Sequence, residues 1–253
     1  MKRKILVALF IGVLCASSGA FANDGKADKD WSFNLAPFYL WAFGIDGDQQ
    51  IGPITQSVDV DFGDITDNLN SAFIVHFEAL HKGKWGFLTD INYLSLENKE
   101  TVPNGSTRKV DLEIPLVEMS GLRRWHHGKH AFDLIAGLRY VEISNEISIL
   151  GAGTLADASQ DWLDPLIGGR WLWQMADNWT LVLRGDVGGL QVGSDFSWHT
   201  LGSVEWKPFE YVSFIAGYRA LGMDYEDGSK QSKDYFHYDS TIHGPMFGVN
   251  FSW

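Results

Sequence analysis

Charge set into the middle of otherwise apolar segments is the chemistry this sequence carries. His76, Glu78, Asp90, Asn92, Asp111, Glu113, Glu118, Asp133, Asp164, Asp186 and Glu205 stand at alternate positions of extended stretches, as do Arg139, Arg170, Arg184 and Arg219. Successive side chains of an extended chain point to opposite faces, so these groups share one side. Three of the arginines follow a glycine by two residues, in Gly137-Leu138-Arg139, Gly168-Gly169-Arg170 and Gly217-Tyr218-Arg219. A glycine there leaves space in which a guanidinium can lie. The acids come from the earlier segments and the arginines from the later ones. On an enclosed face opposite charges must pair or stay hydrated. The expected site is therefore a network across a lumen, joining Glu78, Asp90, Asp164 and Asp186 to Arg139, Arg170, Arg184 and Arg219. Such a network is either a plug of salt bridges or a charged constriction for small solutes and ions.

Other reactive sets are thinner. Asp234, His237, Asp239 and His243 contain the parts of a base–carboxylate dyad, which makes a rim-located hydrolase the lesser reading. There is no Gly-x-Ser-x-Gly and no nucleotide loop. Asp59-Val60-Asp61-Phe62-Gly63-Asp64 resembles half a calcium loop, but its glycine comes one place early and the final glutamate is missing. The stretch Gly44–Asn70, with six aspartates and no base, is expected to be a solvated acidic outer loop. It would serve a surface-binding role or weak divalent-cation binding. No cofactor, catalytic residue or metal site is assigned, and the chain is expected not to be an enzyme.

The elements that hold the charges alternate with a period of two, with aromatic and aliphatic residues on the opposite face. The final residues show it: Phe247, Val249, Phe251 and Trp253 point one way, Gly248, Asn250 and Ser252 the other. Ten such segments follow the polar 23–30. They are 31–43, with Trp31, Phe33, Leu35, Tyr39 and Trp41 on one face, then 72–81, 85–96, 109–122, 131–141, 162–174, 179–190, 196–206, 211–221 and about 236–253. In 109–122 the phase slips after Pro115, which predicts a β-bulge. Prolines 37, 115 and 245 need explaining in a sheet without edges. Each segment is near the length that lets a tilted strand cross a hydrocarbon layer. Short links alternate with longer ones. The fold class expected is all-β: a closed antiparallel transmembrane β-barrel of about ten strands, with eight or twelve fitting the same spacing. Ten strands leave a barrel nearer to filled than open. A secreted β-sandwich would not need glycines beside its charges.

At the start, Lys2, Arg3 and Lys4, the apolar run 5–14 and Ala20-Phe21-Ala22 form a secretory signal. The expected organisation is a signal peptide over 1–22, cleaved after Ala22, and a barrel domain over 23–253 in the cell outer membrane. The single cysteine, Cys15, falls in the signal, so the mature chain has no thiol chemistry. The net charge is −12, against nucleic-acid binding. Aromatic residues make up 14%, including 11 tryptophans, a loading suited to membrane interfaces. The partners expected are outer-membrane lipid and, through the last strand, the barrel-assembly machinery, with small solutes or divalent cations beside them.

Trp162-Leu163-Asp164-Pro165-Leu166-Ile167-Gly168-Gly169-Arg170, Arg184-Gly185-Asp186-Val187-Gly188-Gly189, Gly193-Ser194-Asp195, Ala216-Gly217-Tyr218-Arg219, Asp224-Tyr225 and His243-Gly244-Pro245 with the aromatic tail resemble a poorly characterised family of Gram-negative outer-membrane β-barrel proteins. The resemblance is clearest in the C-terminal half. It implies fold and location and transfers no activity. The chain does not resemble an omptin protease or a lipid A deacylase in the residues that carry their chemistry.

Overall fold

Ten antiparallel strands close on one another, and two more form a hairpin that continues the wall at one end of the ring, where β2 succeeds β1 as the partner of β12. The computed structural model describes residues 30–52, 54–101, 106–230, 232 and 235–253. The expected signal peptide with Cys15, and Asp234, lie outside the described residues. In chain order come β1 (Trp31–Trp41), β2 (Gly44–Ile51), β3 (Ile54–Val60), the helix α1 (Phe62–Asp67), β4 (Leu69–His81) and β5 (Trp85–Thr101). They are followed by β6 (Thr107–His127), β7 (His130–Ile149), β8 (Gly153–Ala176), β9 (Trp179–Gly188), β10 (Phe196–Trp206), β11 (Val212–Asp227) and β12 (Phe236–Ser252). The ring runs β1, β4 to β12 and back to β1, which removes the open edge a flat sheet would leave.

The outer face carries the ring-bearing residues. Phe87, Phe132, Leu134, Leu138, Ile167, Leu183, Phe214 and Phe247 are all exposed. Water does not explain an apolar belt of that size, whereas lipid does. At the end with short turns stand Trp31, Trp85, Trp125, Trp173, Trp179, Trp206 and Trp253, with stacks such as Trp179 on Trp206 at 5.9 Å. The opposite rim has tyrosines holding polar partners: Tyr140 donates to Glu142 at 3.1 Å, and the Tyr218 hydroxyl meets His243 at 2.6 Å.

Several strands run on past this belt. β6, β7 and β8 have 21, 20 and 24 residues, so much of what spacing assigns to long outer links, including 142–161, is strand. Gly44–Asn70 is likewise no loop. β2 pairs with the outer half of β12, β3 pairs with β2, and α1 follows. The Asp59–Asp64 stretch ends β3 and caps α1: Asp61 accepts from the Asp64 N–H at 2.9 Å, and Asp64 accepts in return from Asp61. Ile65 of α1 is buried in the outer core.

The prolines mark specific joints. At Ala36–Pro37 the β1–β12 register shifts by one residue. This bulge reverses the face of everything after it. Trp31 and Phe33 lie outside as expected, but Trp41 turns inward and is 5% exposed, while Leu40 takes the lipid side. Pro115 produces no bulge: pairing of β6 with β7 keeps one register from Glu113–Ser144 to Leu116–Val141. The apparent phase slip has another cause. Above the charged layer the inside of the barrel becomes apolar, so Ile114 and Leu116 face inward, while Asp111 and Glu113 face outward, beyond the apolar belt. Pro245 sits where β12 exchanges β1 for β2, and its carbonyl accepts from the Ala42 N–H.

Candidate functional site

Two layers of charge cross the lumen. In the layer nearer the short turns, Arg124 of β6 holds Asp133 of β7 through two bonds of 2.7 and 2.9 Å. It reaches Glu78 of β4 at 3.2 Å. Arg170 of β8 joins the same two acids at 2.8 and 2.7 Å. Two guanidiniums and two carboxylates thus close a ring in which each acid meets both cations. The forked geometry gives such pairs their orientation.

The second layer is deeper. Arg139 donates to Glu118 at 3.1 Å and to Asp186 at 2.6 Å. Arg184 donates to Glu118 and, at 2.8 Å, to Asp186, and lies 3.8 Å from Asp90. His76 touches Asp90 at 3.1 Å. Arg219 donates to Nε2 of His199 at 3.0 Å. A guanidinium only donates, so Nε2 must accept, which leaves the His199 proton on Nδ1, 3.0 Å from Asp186. His199 is neutral in this arrangement. Across both layers five arginines face Glu78, Asp90, Glu118, Asp133 and Asp186, so these ten charges balance.

Above the second layer lies a dry core. Trp41, Ile74, Leu94, Ile114, Leu116, Trp162 and Ile242 are buried together, and Ile65 of α1 joins them. Arg219 forms the seam, its guanidinium 4.7 Å from the Trp41 ring centre. A cavity of about 150 Å³ runs beside the charges, from Asn34, Glu205 and Asn250 past Glu78 and Arg170 to Arg184, His199 and Arg219. The lumen is thus polar at one end and oily at the other, with ion pairs between.

Of the eight residues expected from sequence, Glu78 meets Arg170, Asp90 lies near Arg184, and Asp186 meets Arg139 and Arg184. Asp164 does not join. It is fully buried, and its carboxylate takes the N–H and hydroxyl of Ser194 at 2.7 Å each, which pins the short loop after β9. Among the described residues Arg219 pairs with no carboxylate; it meets His199 and Asn92, the latter at 3.2 Å. Arg124 and His199 are missing from the sequence reading. By spacing Arg124 falls in a turn, yet β6 continues through it, and its presence breaks the sorting of acids and arginines between strands. The expected role of the glycines is also corrected. A Cβ on Gly168 would lie 2.3 Å from Asp186, and one on Gly137 2.2 Å from Ser120 Oγ. The space beside each glycine holds a neighbouring strand's side chain rather than the arginine two residues on.

The rim histidines separate. His237 meets Asp224 at 3.0 Å, and His243 meets Asp46 at 2.6 Å. Asp239 is exposed and joins neither pair. Among the described residues no group of three or more His, Cys, Asp or Glu side chains could hold a metal ion.

No family model matches the chain, and no curated protein matches it. Solved structures do. The outer membrane protease OmpT from Escherichia coli is 7% identical and superposes over 92% of this chain and 100% of its own, with a TM-score of 0.52. The translocator domain of the autotransporter NalP from Neisseria meningitidis is 13% identical over 99% of this chain and 97% of its own, with a TM-score of 0.49. Ail, the attachment invasion locus protein of Yersinia pestis, is 8% identical over 88% and 99%, with a TM-score of 0.42. At these identities the likeness is one of fold. The chain is a transmembrane β-barrel of the Gram-negative outer-membrane type. In that class the short turns face the periplasm and the long strand extensions face outward.

Proposed function

We propose that this protein is a sealed outer-membrane barrel, whose lumen is occupied by its own charges and core and does not conduct ions at rest. The observation that carries this reading is the stacking of a charge-balanced ion-pair layer beneath a dry apolar layer. The 150 Å³ cavity reaches as far as Arg184 and Arg219, and an ion leaving it would have to enter a core lined by Trp41, Ile74 and Leu116. That step is costly in a medium of low dielectric.

Planar-bilayer recording tests it. Wild-type protein should insert without conductance steps, and Arg170→Ala should lower the melting temperature without creating any. An ion-selective conductance in the wild type that changes with Arg170→Ala would show a pore instead. The amino-terminal segment fits a cleaved export signal, and mass spectrometry of protein recovered from outer membranes should find Asn23 first. The aromatic alternation of β12 suits recognition by the barrel-assembly machinery.

A further inference from the structure

The barrel wall is incomplete at one place. Pairing of β1 with β4 stops at Ala36–His76. Beyond it, among the described residues, Phe38–Trp41 pair with β12 alone and Leu69–Val75 with β5 alone. The bulge at Pro37 separates the two edges. The opening lies in the outward half of the apolar belt, level with Tyr93, and a cavity of about 110 Å³ runs through it. Leu40 and Phe73 flank its mouth, each about half exposed on the lipid side. Trp41, Ile74, Leu94 and Ile242 line its inner end.

That inner end is apolar except for unused hydrogen-bond donors. Asn92 Nδ2 and Trp41 Nε1 are buried and find no acceptor among the described residues, and both residues line the cavity. A buried donor left alone is costly, and such cases need an explanation. The Asn92 oxygen is already taken by Arg219. Among the described residues Arg219 alone of the five lumen arginines forms no ion pair with a carboxylate, and it lies over the Trp41 ring. The slot therefore offers hydrocarbon at its mouth, and two N–H groups with a cation behind them at its end.

We propose that this slot binds a single-chain amphiphile ending in a carboxylate, which enters sideways from the outer leaflet with its acceptor end first. The chain lies between Leu40 and Phe73, and the carboxylate accepts from Asn92 and Trp41 in the field of Arg219. A two-tailed membrane lipid is the poorer occupant. It would enter tail first and bring a methyl group to the donors. Tyr39 lines both the slot and the periplasmic cavity, so it stands as the partition between them.

The test is tryptophan fluorescence of the full barrel in nanodiscs, titrated with 2-bromooctanoate, whose bromine lies beside the carboxylate, next to Trp41 in this pose, and quenches on contact. Saturable quenching is expected, reversed by plain octanoate and not by octylamine. Ala72→Leu, which fills the slot from β4, and Asn92→Asp, which keeps an acceptor for Arg219 but replaces the donor with a like charge, should each weaken the saturable phase at least tenfold while the melting temperature stays within a few degrees. Either variant is sufficient if the other does not fold. Quenching that rises without saturation, or that is the same in wild type and the folded variant, would mean simple partition into lipid and would overturn the proposal. So would equal competition by octylamine.

Discussion

Arg139 shows how tightly the lumen is determined at the level of single residues. It is fully buried and links Glu118 to Asp186, while Arg184 links the same two acids from the other side. Removing one cation leaves a surplus negative charge in a dry place. Breaking a buried pair this way typically costs about 3–5 kcal/mol. Arg139→Met should therefore lower equilibrium unfolding stability in lipid vesicles by about that amount, and adding Glu118→Gln should recover a large part of it. If the double variant were no better than the single, charge balance would not be what holds the layer. Gly168 acts on the same acid by a steric route. A Cβ there would meet Asp186 Cβ at 2.3 Å. Gly168→Ala should push Asp186 away from its partners and destabilise the barrel, whereas Gly169→Ala, with its nearest neighbour at 3.4 Å, should be tolerated. Comparing the two melting temperatures checks this.

Among the elements, β1 is governed by one proline. Without the bulge at Ala36–Pro37, Tyr39 and Trp41 would turn to lipid and Leu40 to the core. Deleting Pro37 should have that effect. Loss of a buried tryptophan from a core usually costs about 3–5 kcal/mol, so the variant should lose the compact form that folded barrels keep in an unheated denaturing gel. The same joint marks the limit of what the sequence revealed. β7 and β9 are legible residue by residue, because their two faces differ in character from end to end. β1 and β6 are not. One changes phase at a proline, and the other meets a lumen whose own character changes from ionic to oily, so Ile114 looks like a lipid residue while pointing inward. The hairpin β2–β3 is hidden because the six aspartates of 44–70, three of them in the hairpin, resemble a loop, although its backbone completes a ladder with β12. Outside the belt, β5 and β6 continue as a ribbon held by charge. Lys109 first, then Lys99, hold Glu97 below its ordinary value of 4.5. A lowered carboxylate stabilises the ribbon above that value, and the effect is lost as the pH falls through the lower, folded one. Pepsin cleavage between Glu97 and Lys109, divided by its rate on an unfolded peptide of the same sequence at the same pH, should thus be greater at pH 2.5 than at pH 4.5, and Glu97→Gln should narrow the difference.

For the whole molecule, everything depends on where hydrocarbon meets protein. The belt is bounded by tryptophans such as Trp173 and Trp179 on one side and by Tyr93, Tyr140 and Tyr218 on the other. Ile167 lies about midway on β8, between Trp171 and Leu163, and is half exposed. Glu113 is exposed beyond the tyrosine rim. An arginine facing lipid at the midplane costs about 2–4 kcal/mol, and near the interface about 0–1. Ile167→Arg should therefore reduce stability in vesicles by about 2–4 kcal/mol and Glu113→Arg by less than about 1. The contrast matters more than either number, because an aqueous exterior would make both changes nearly silent. A barrel that tolerated Ile167→Arg would not be using that face against lipid. The slot between β1 and β4 would then open on water, and the carboxylate expected there would have no leaflet to arrive from.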